Sequence, residues 1–597
     1  MPGVSSTVIV NVVDKHFNVV PNSSMQAQVL SNSDAANTQS ISFLGTTTYA
    51  FTLLTATATS TFTVNRLSGD SLDFSSSTLI VSSSFTVSAS SAVKLQVLVP
   101  GETAVPGSAS GKKIVAGVGI STQAAGIAFP ITVNAVDAYW NLVSTNAKVY
   151  LVAIDSYAPT LSSQTLTNGS TVFQMTLAQA NLGSGGWTVT AATTSDSVAS
   201  LQAGQSASIP VKAGPAAKLQ ILAPNEKPVP GLVAGGLHGK TGVPSTPLAG
   251  VQYDVVVRLT DAYYNVQTVG TMPSVQMTST DPSDDEPNYV HGNPQTLTSA
   301  SATYGVKFVT VGTWTLTATD ILPGSYQTDT STSIPVYSGP PAKLVMTIPN
   351  QTLLPGSVGG VNGNALPQAA GTDFRTTVYV TDQYSNIVST GRNPIFVYTS
   401  DIYDTDPGSF SLTSGQVVIT SVNVHTANLT TLFAVDNDAN FGPLTMAQST
   451  VTVNAGTASR VQLVVNDEQA QPGNANLTTG VIHTPPSGVT AGVNFNVTVN
   501  LTDGYWNPVP TATATVRIMS SDLNNATTGP WGSDGKDPLS VPVTTGTYVI
   551  SDSLITGTTL GWTLTASAGG YTTFLSTNVT VNYNAQAGST RTLLTMF

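Results

Sequence analysis

Cysteine is absent from this chain of 597 residues, and charged residues make up only 8% of it. Without cysteine there are no disulfides and no thiolate metal ligands. The 19 basic residues are scattered and outnumbered by 31 acidic ones, so the net charge is −12. Nucleic-acid binding needs a positive stripe for the phosphates, and the sequence has none. We therefore expect no nucleic-acid partner.

Long apolar runs and catalytic constellations are missing as well. No uninterrupted apolar segment approaches the roughly 20 residues of a membrane-spanning helix, so no membrane span is expected. The five histidines occupy unrelated places, and none pairs with a repeated serine or aspartate as a catalytic triad requires. These absences favour a protein that is not an enzyme, with no cofactor and with its histidines at the surface.

What the sequence has in abundance is repetition. A turn of the form Asp-x-aromatic-x-Asn, with small variations, occurs five times, and successive copies lie 121 to 124 residues apart. So constant a period indicates a tandem array of similar units. The aspartate and asparagine of the five turns are Asp14 and Asn18, Asp137 and Asn141, Asp261 and Asn265, Asp382 and Asn386, and Asp503 and Asn507.

Alternating apolar and polar residues precede each turn. In the second copy the apolar positions are Ile131, Val133 and Ala135, and the same two-residue period occurs before the other turns. This pattern is typical of a strand with one buried face. No stretch has a helical period, and 51 glycines and 35 prolines interrupt the chain throughout. The sequence predicts an all-β protein.

A second apolar segment opens every unit except the first. Each copy carries a basic residue, which we interpret as the polar edge of an opening strand. These residues are Lys94, Lys218, Lys343 and Arg460. The segments predict the following division, whose names are kept below: repeat 1 is 1–90, repeat 2 is 91–214, repeat 3 is 215–339, repeat 4 is 340–456, repeat 5 is 457–588, and a C-terminal donor strand is 589–597.

The motif strand and turn, Val-x-Val-x-x-x-Asp-x-Tyr-x-Asn-x-Val, followed later by Gly-Trp-Thr-Leu-Thr-Ala, resemble the bacterial immunoglobulin-like domains of invasin- and intimin-type surface proteins. The resemblance covers all five repeats and implies tandem Greek-key β-sandwiches of about seven strands each. One departure is a long Gly/Pro-rich stretch after each opening strand, as at 106–126. We interpret these stretches as flaps that cover sheet edges or contact neighbouring subunits.

Two interpretations of the turn are open. In the structural one, the aspartate accepts hydrogen bonds from amides two residues on, and the asparagine takes a left-handed conformation. The aromatic residue between them is then a lid on the core or a contact with the preceding domain. These aromatic residues are Phe17, Tyr139 or Trp140, Tyr263, Tyr384 and Tyr505.

The other interpretation is calcium at the domain junctions. A further aspartate follows each turn by about 20 residues, at Asp34, Asp155, Asp281, Asp401 and Asp522. It lies beyond the next strand, so Asp155 is expected to face Asp261, and Asp281 to face Asp382. Because calcium takes six to eight oxygen ligands, two carboxylates form a sparse set. We favour the metal-free interpretation.

The C-terminal residues resemble an opening strand without a unit behind it. They align with the segment that starts at Ser459, while repeat 1 lacks an opening strand and should expose a groove beside Val8, Val10 and Val12. The sequence therefore predicts a homopolymer built by strand donation from one copy to the next. The predicted donor residues are Arg591, Thr592, Leu593, Leu594, Thr595, Met596 and Phe597.

Three classes of function are compatible with these features. The first is the structural subunit of an extracellular or cell-surface filament. The second is a fragment of a tandem adhesin or S-layer-like protein without strand exchange, and the third is an enzyme or glycan-binding module. The third requires exposed aromatics and carboxylates concentrated in one repeat, a pattern that the sequence does not offer. The filament subunit is the favoured interpretation.

Overall fold

The computed structural model describes residues 1–583 apart from 35–38, 70–79, 284–292, 323–325, 390–393, 440–441, 483–487, 523–531, 534–538 and 577. In this part of the chain the regular structure is β-strand, with one 3-10 turn at Ala234–Gly236. The all-β prediction is confirmed. The predicted donor strand at 589–597 lies outside the described residues.

The strands are numbered in chain order. Repeat 1 contains Ser5–Asn11 (β1), Ser24–Ser31 (β2), Gln39–Leu44 (β3), Thr46–Thr52 (β4), Thr57–Ser60 (β5), Phe62–Gly69 (β6), Ile80–Val81 (β7) and Phe85–Val87 (β8). Repeat 2 contains Lys94–Leu98 (β9), Glu102–Ala104 (β10), Lys112–Ile114 (β11), Gln123–Ala124 (β12), Phe129–Val136 (β13), Lys148–Ala153 (β14), Gln164–Thr165 (β15), Ser170–Met175 (β16), Val189–Thr193 (β17), Gly204–Gln205 (β18) and Val211–Lys212 (β19).

Repeat 3 contains Ala216–Leu222 (β20), Lys227–Pro228 (β21), Lys240–Thr241 (β22), Tyr253–Asp261 (β23), Ser274–Ser279 (β24), Gln295–Thr296 (β25), Ser301–Val306 (β26), Gly312–Trp314 (β27), Leu316–Asp320 (β28), Asp329–Thr330 (β29) and Ile334–Val336 (β30). Repeat 4 contains Lys343–Thr347 (β31), Thr352–Leu353 (β32), Val361–Asn362 (β33), Gln368–Ala369 (β34), Phe374–Thr381 (β35), Ile395–Thr399 (β36), Gly408–Phe410 (β37), Gln416–Val422 (β38), Leu429–Asp436 (β39) and Ala447–Asn454 (β40).

Repeat 5 contains Arg460–Val465 (β41), Gln469–Ala470 (β42), Val481–Ile482 (β43), Val489–Thr490 (β44), Phe495–Thr502 (β45), Ala514–Ser520 (β46), Gly532–Ser533 (β47), Leu539–Val543 (β48), Thr547–Asp552 (β49), Thr558–Trp562 (β50), Leu564–Ser567 (β51), Phe574–Leu575 (β52) and Val579–Asn582 (β53).

Repeat 2 shows how the two main sheets are built. The opening strand β9 and the strand β16 flank the motif strand β13, and both pair with it antiparallel. The second sheet has the order β15-β14-β17-β18. The chain therefore changes sheets after β13 and again after β15, which is the Greek-key order of an immunoglobulin-like sandwich. Repeat 3 repeats this order with β20-β23-β26 and β25-β24-β28-β29.

The core lies between the sheets of each repeat. Ile131, Val133 and Ala135 of β13 are fully buried, as the alternating pattern predicts. Among the described residues, repeats 2 to 5 each bury 20 or 21 apolar residues in one cluster, whereas repeat 1 has two clusters of six and four. Each cluster falls within a predicted repeat. The repeat boundaries themselves stay a prediction.

The long Gly/Pro-rich stretches form small hairpins, β10-β11, β21-β22, β32-β33 and β42-β43, and are not bare loops. They cover the outer face of the opening strand. The side chain of Gln96 donates to the carbonyl of Gly111 at 2.7 Å, and Gln462 donates to Gly480 at 2.9 Å. Both glutamines are buried. The polar side of these opening strands is therefore also covered, by a flap of the same repeat.

Repeat 1 differs in its motif strand. In the described part of the chain β1 pairs only with β4, whereas β13, β23, β35 and β45 each lie between two strands. Val12 is 4% exposed, but Val8 and Val10 are only partly buried, in contrast to the fully buried Ile131 and Val133. Among the described residues, the sheet of repeat 1 therefore lacks an opening strand beside β1, as the sequence predicts.

Candidate assembly interface

The five turns share one hydrogen-bond pattern. In repeat 2, Oδ1 of Asp137 accepts bonds from the amides of Tyr139 and Asn141, both at 2.9 Å. The Asp14 turn has the same pattern, with bonds from His16 at 2.8 Å and Asn18 at 2.9 Å. Hydrogen bonds from the side chain and amide of Asn18, and from the amide of His16, lower the pKa of Asp14. Each of the five aspartates accepts the hydrogen bond from the amide two residues on that the structural interpretation predicts.

The predicted left-handed conformation of the asparagine is wrong. The residue before it has the positive φ instead, at 65° for Phe17 and 69° for Trp140, and the other turns agree. The asparagine is positioned by hydrogen bonds of its side chain. Its side-chain nitrogen donates to the motif aspartate in every turn. In repeats 2 to 5 its side-chain amide also reaches the preceding repeat.

The second aspartate of each repeat holds the loop to which that asparagine binds. Oδ2 of Asp155 accepts bonds from the amides of Ala178 at 2.6 Å and Gln179 at 2.9 Å. Asp281 binds Val309 and Thr310 in the same way. The carboxylate is buried in both cases. Because charge-assisted bonds to amides are strong, each loop is fixed before the next repeat meets it.

The asparagine of the next turn completes the junction with two further bonds. Its nitrogen donates to the carbonyl of the first loop residue, and its oxygen accepts from the amide two residues later. The distances are 2.9 and 2.7 Å for Asn141 with Leu54 and Ala56, 2.8 and 2.8 Å for Asn265 with Ala178 and Ala180, 2.8 and 3.0 Å for Asn386 with Val309 and Val311, and 2.8 and 2.8 Å for Asn507 with His425 and Ala427.

The tyrosine of the turn packs on a glycine of the preceding repeat. Gly250 has φ +82°, and a Cβ added to it would lie 2.3 Å from Cε2 of Tyr384. Gly126 meets Tyr263 and Gly371 meets Tyr505 in the same way. The interpretation of this aromatic residue as a contact with the preceding domain fits these contacts. In repeat 5 the matching glycine is Gly492, whose added Cβ would meet no described atom within 4 Å.

The flaps reach the same junctions. Nε2 of Gln179 in repeat 2 donates to the carbonyl of Pro230 in the repeat 3 flap at 2.8 Å. The hydroxyl of Thr55 donates to the carbonyl of Pro106 at 3.4 Å. The flaps thus contact the neighbouring repeat of the same chain, in addition to the opening strand that they cover.

The two aspartates expected to face each other do come to one junction, but they bind amides. Between them, Asp155 and Asp261 accept backbone bonds from Tyr157, Ala178, Gln179, Gly214, Tyr263 and Asn265. Within the described ranges, no group of three or more His, Cys, Asp or Glu residues is arranged to hold a metal ion. The hydrogen bonds to these carboxylates come from peptide groups and from the side chain of Asn265.

The basic residues of the opening strands are not simply polar edges. Lys94 Nζ lies 3.4 Å from the ring centroid of Trp140, and Lys218 Nζ lies 3.5 Å from that of Tyr264. In repeat 5 the guanidinium of Arg460 lies 4.6 Å from the ring centroid of Trp506. A cation over an aromatic face is an attractive contact, so this pair ties the opening strand to the turn.

Two of the histidines that were predicted at the surface make specific side-chain contacts. Nδ1 of His238 lies 2.6 Å from a carboxylate oxygen of the buried Asp329. His425 stacks on Tyr505 of the next repeat with ring centroids 4.3 Å apart. The second contact belongs to the junction between repeats 4 and 5.

The first turn differs from the other four because it contacts no preceding loop among the described residues. At the first turn Phe17 is 85% exposed, whereas Trp506 at the same place in repeat 5 is 4% exposed. Asn18 is exposed too, whereas the other four motif asparagines are buried. The predicted acceptor groove at Val8, Val10 and Val12 adjoins this turn along β1.

Comparisons with known proteins give fold likeness only. No protein-family model matches the sequence, and no curated protein matches it. The Escherichia coli adhesin FdeC is 13% identical over 61% of this chain and 97% of that chain, with a TM-score of 0.21. A Ca2+-stabilized adhesin that helps an Antarctic bacterium bind ice is 13% identical over 82% and 100%, with a TM-score of 0.13. Sidekick-1 immunoglobulin domains 1–4 are 9% identical over 82% and 99%, with a TM-score of 0.14.

Two of these neighbours are adhesins and the third is a series of immunoglobulin domains, the kinds of protein that the sequence resembles. At such TM-scores they carry no argument about function, and the immunoglobulin-like assignment rests on the sheet order. The described residues contain no helix with the length and apolar character needed to span a membrane.

Proposed function

We propose that this protein is a structural, non-enzymatic subunit of an extracellular filament. In this proposal residues 591–597 of one copy add to the free edge of β1 in the next copy. The observation that carries the proposal is that β1 pairs only with β4 in the described chain, while every other motif strand also pairs with an opening strand. An open edge of this kind is a site for strand addition.

The internal repeats supply the register for the added strand. Aligning Arg591 with Arg460 places Thr592, Leu594 and Met596 at the positions of Val461, Leu463 and Val465, which are at most 3% exposed. Leu593 then takes the position of Gln462, on the outer face of the sheet. Burial of Leu594 and Met596 contributes roughly 3–6 kcal/mol before the cost of association. In this register Thr592, Leu594 and Met596 would face the core, and the two large apolar side chains among them supply this burial.

The exposed ring of Phe17 supports the same register. In repeats 2, 3 and 5 the residue at this place in the turn lies under the basic residue of the opening strand. In the proposed alignment Arg591 is that basic residue for repeat 1. Strand donation would then supply the cation that Phe17 lacks among its described neighbours. The contact between copies is heterologous, so repetition without ring closure gives an open filament.

Deletion of residues 591–597 tests the proposal. We expect the full chain to form filaments in negative-stain images and the shortened chain to remain in single copies with unchanged circular dichroism. A synthetic peptide of these residues should bind the shortened chain and protect the β1 amides from hydrogen exchange. Filaments of normal appearance from the shortened chain would refute strand donation and favour lateral packing through the flaps. Single copies of the full chain at high concentration would favour the adhesin or S-layer-like alternative.

A further inference from the structure

A half-buried loop of repeat 5 and the exposed side chain of Asn18 in repeat 1 resemble the two sides of an internal junction. In repeat 5, Asp522 accepts bonds from the amides of Ile555 at 3.1 Å and Thr556 at 2.8 Å. This loop is therefore held as the four internal junction loops are. The next step of the pattern is missing, because the carbonyl of Ile555 and the amide of Gly557 have no hydrogen-bond partner among the described residues.

The complementary groups lie on repeat 1. Asp14 and Asn18 form the same turn as in repeats 2 to 5, so the asparagine side chain is already oriented. Its oxygen has no hydrogen-bond partner in the part of the chain that is described. The buried internal asparagines, by contrast, each bind one carbonyl and one amide of a preceding loop.

We propose that the loop at residues 555–557 of one copy binds the Asn18 turn of a second copy, through the pair of hydrogen bonds that joins successive repeats within the chain. Asn18 Nδ2 would donate to the carbonyl of Ile555, and the amide of Gly557 would donate to Asn18 Oδ1. The contact is a fifth version of a junction that the chain makes four times. It deepens the proposed head-to-tail assembly and rests on it for the direction in which copies join.

Both halves of the contact are organised before they meet. The loop is fixed by Asp522 and the turn by Asp14, so little conformational freedom is lost on binding. Gly492 adds a matching surface, since its counterparts at Gly126, Gly250 and Gly371 each pack on the tyrosine of the next turn. The place of that tyrosine is taken by His16 in repeat 1. This contact therefore determines the orientation of each copy relative to the preceding copy, independently of the added strand.

The test uses the full chain and measures the critical concentration for filament assembly by sedimentation. Asn18→Ala should raise it at least about tenfold, as expected for two lost hydrogen bonds. Asn428→Ala is the control, because this exposed side chain bonds only the neighbouring amide of Leu429. At the other end, Gly557→Pro removes the amide that would donate, and should have a similar effect.

Gly557→Ala is the matched control for the proline variant. A Cβ at this position approaches the ring of Tyr583 in both variants, and only proline removes the amide. Each variant is first checked as a dilute single copy by thermal unfolding. Because the two variants lie at opposite ends of the array, a folding defect in one leaves the other as a test.

The outcomes separate this contact from strand donation. If Asn18→Ala and Gly557→Pro assemble like their controls while deletion of 591–597 abolishes filaments, the contact is wrong and strand donation stands. If the deletion leaves assembly intact while Asn18→Ala weakens it, strand donation is wrong and the contact stands. The proposal expects both the deletion and the two substitutions to impair assembly.

Discussion

Gly250 of repeat 3 lies directly against the ring of Tyr384, which belongs to the Asp382 turn of repeat 4. A Cβ on Gly250 would come within 2.3 Å of Cε2 of Tyr384. The backbone of repeat 3 therefore packs directly against the aromatic residue of repeat 4. Together with the asparagine bonds, this contact restricts motion between the two repeats.

Gly250→Ala and Gly492→Ala separate this packing from backbone strain. Both glycines have positive φ, +82° and +75°, so each alanine variant loses about 1–2 kcal/mol to the left-handed conformation. Only Gly250→Ala also forces the tyrosine away, at a further cost of about 1–3 kcal/mol. We expect a lower melting temperature for Gly250→Ala, measured by calorimetry on dilute single copies. Equal melting temperatures would show that the tyrosine contact contributes nothing.

A carboxyl near the junction of repeats 4 and 5 predicts a pH dependence. Burial, together with the charges of Asp401 and Asp406, raises the pKa of Asp404 to about 6, against the opposing effects of a hydrogen bond from Thr399 and the charge of His425. The folded state therefore binds this proton more tightly than the unfolded state. Protonation of Asp404 therefore contributes stability that is fully present below pH 4 and is lost as the pH rises through about 6.

Asp404→Asn should remove this loss. After allowance for solvent screening, we expect the variant to gain about 1–2 kcal/mol at pH 7 and little at pH 4. The measurement is denaturant unfolding at the two pH values. Asp254→Asn is the control, since this carboxylate is exposed on β23 of repeat 3, whereas Asp404 lies in repeat 4. An equal change at both pH values would contradict the raised pKa.

The sequence was sufficient for the features that depend on local pattern. Two-residue alternation predicted the motif strands, and the short reach of an aspartate side chain predicted its bonds to amides two residues on. The lack of an opening strand in repeat 1 was also predicted, because the sequences of repeats 2 to 5 each contain that segment and the sequence of repeat 1 does not.

The hydrogen bonds that the turn asparagines make to the preceding repeat were not predicted, because they depend on which loop of one repeat meets which turn of the next. The sequence indicates the conformational preference of the turn asparagine. It does not indicate the hydrogen bonds that this side chain makes to the preceding repeat. One signal was available. A glycine precedes each motif aspartate by eleven residues, at Gly3, Gly126, Gly250, Gly371 and Gly492. Such regularity outside the turn itself indicates a close backbone approach.

The register of the donated strand leads to the last prediction. In the alignment of Arg591 with Arg460, Leu594 takes the place of Leu463, which is fully buried in the core. Leu593 takes the place of Gln462, a polar side chain that binds the flap of its own repeat. Repeat 1 as described has no flap before β1. Leu593→Gln should therefore be tolerated, whereas Leu594→Gln places an amide in the core of the next copy.

The two substitutions make the same chemical change on neighbouring residues, so each controls for the other. Loss of a buried leucine at about 2–3 kcal/mol corresponds to a rise of roughly 30- to 150-fold in the critical concentration for Leu594→Gln. Leu593→Gln should change it less than about threefold. Sedimentation of filaments over a concentration series measures both. A larger effect at Leu593 would mean that the strand enters one residue out of register, since successive side chains of a strand point to opposite faces.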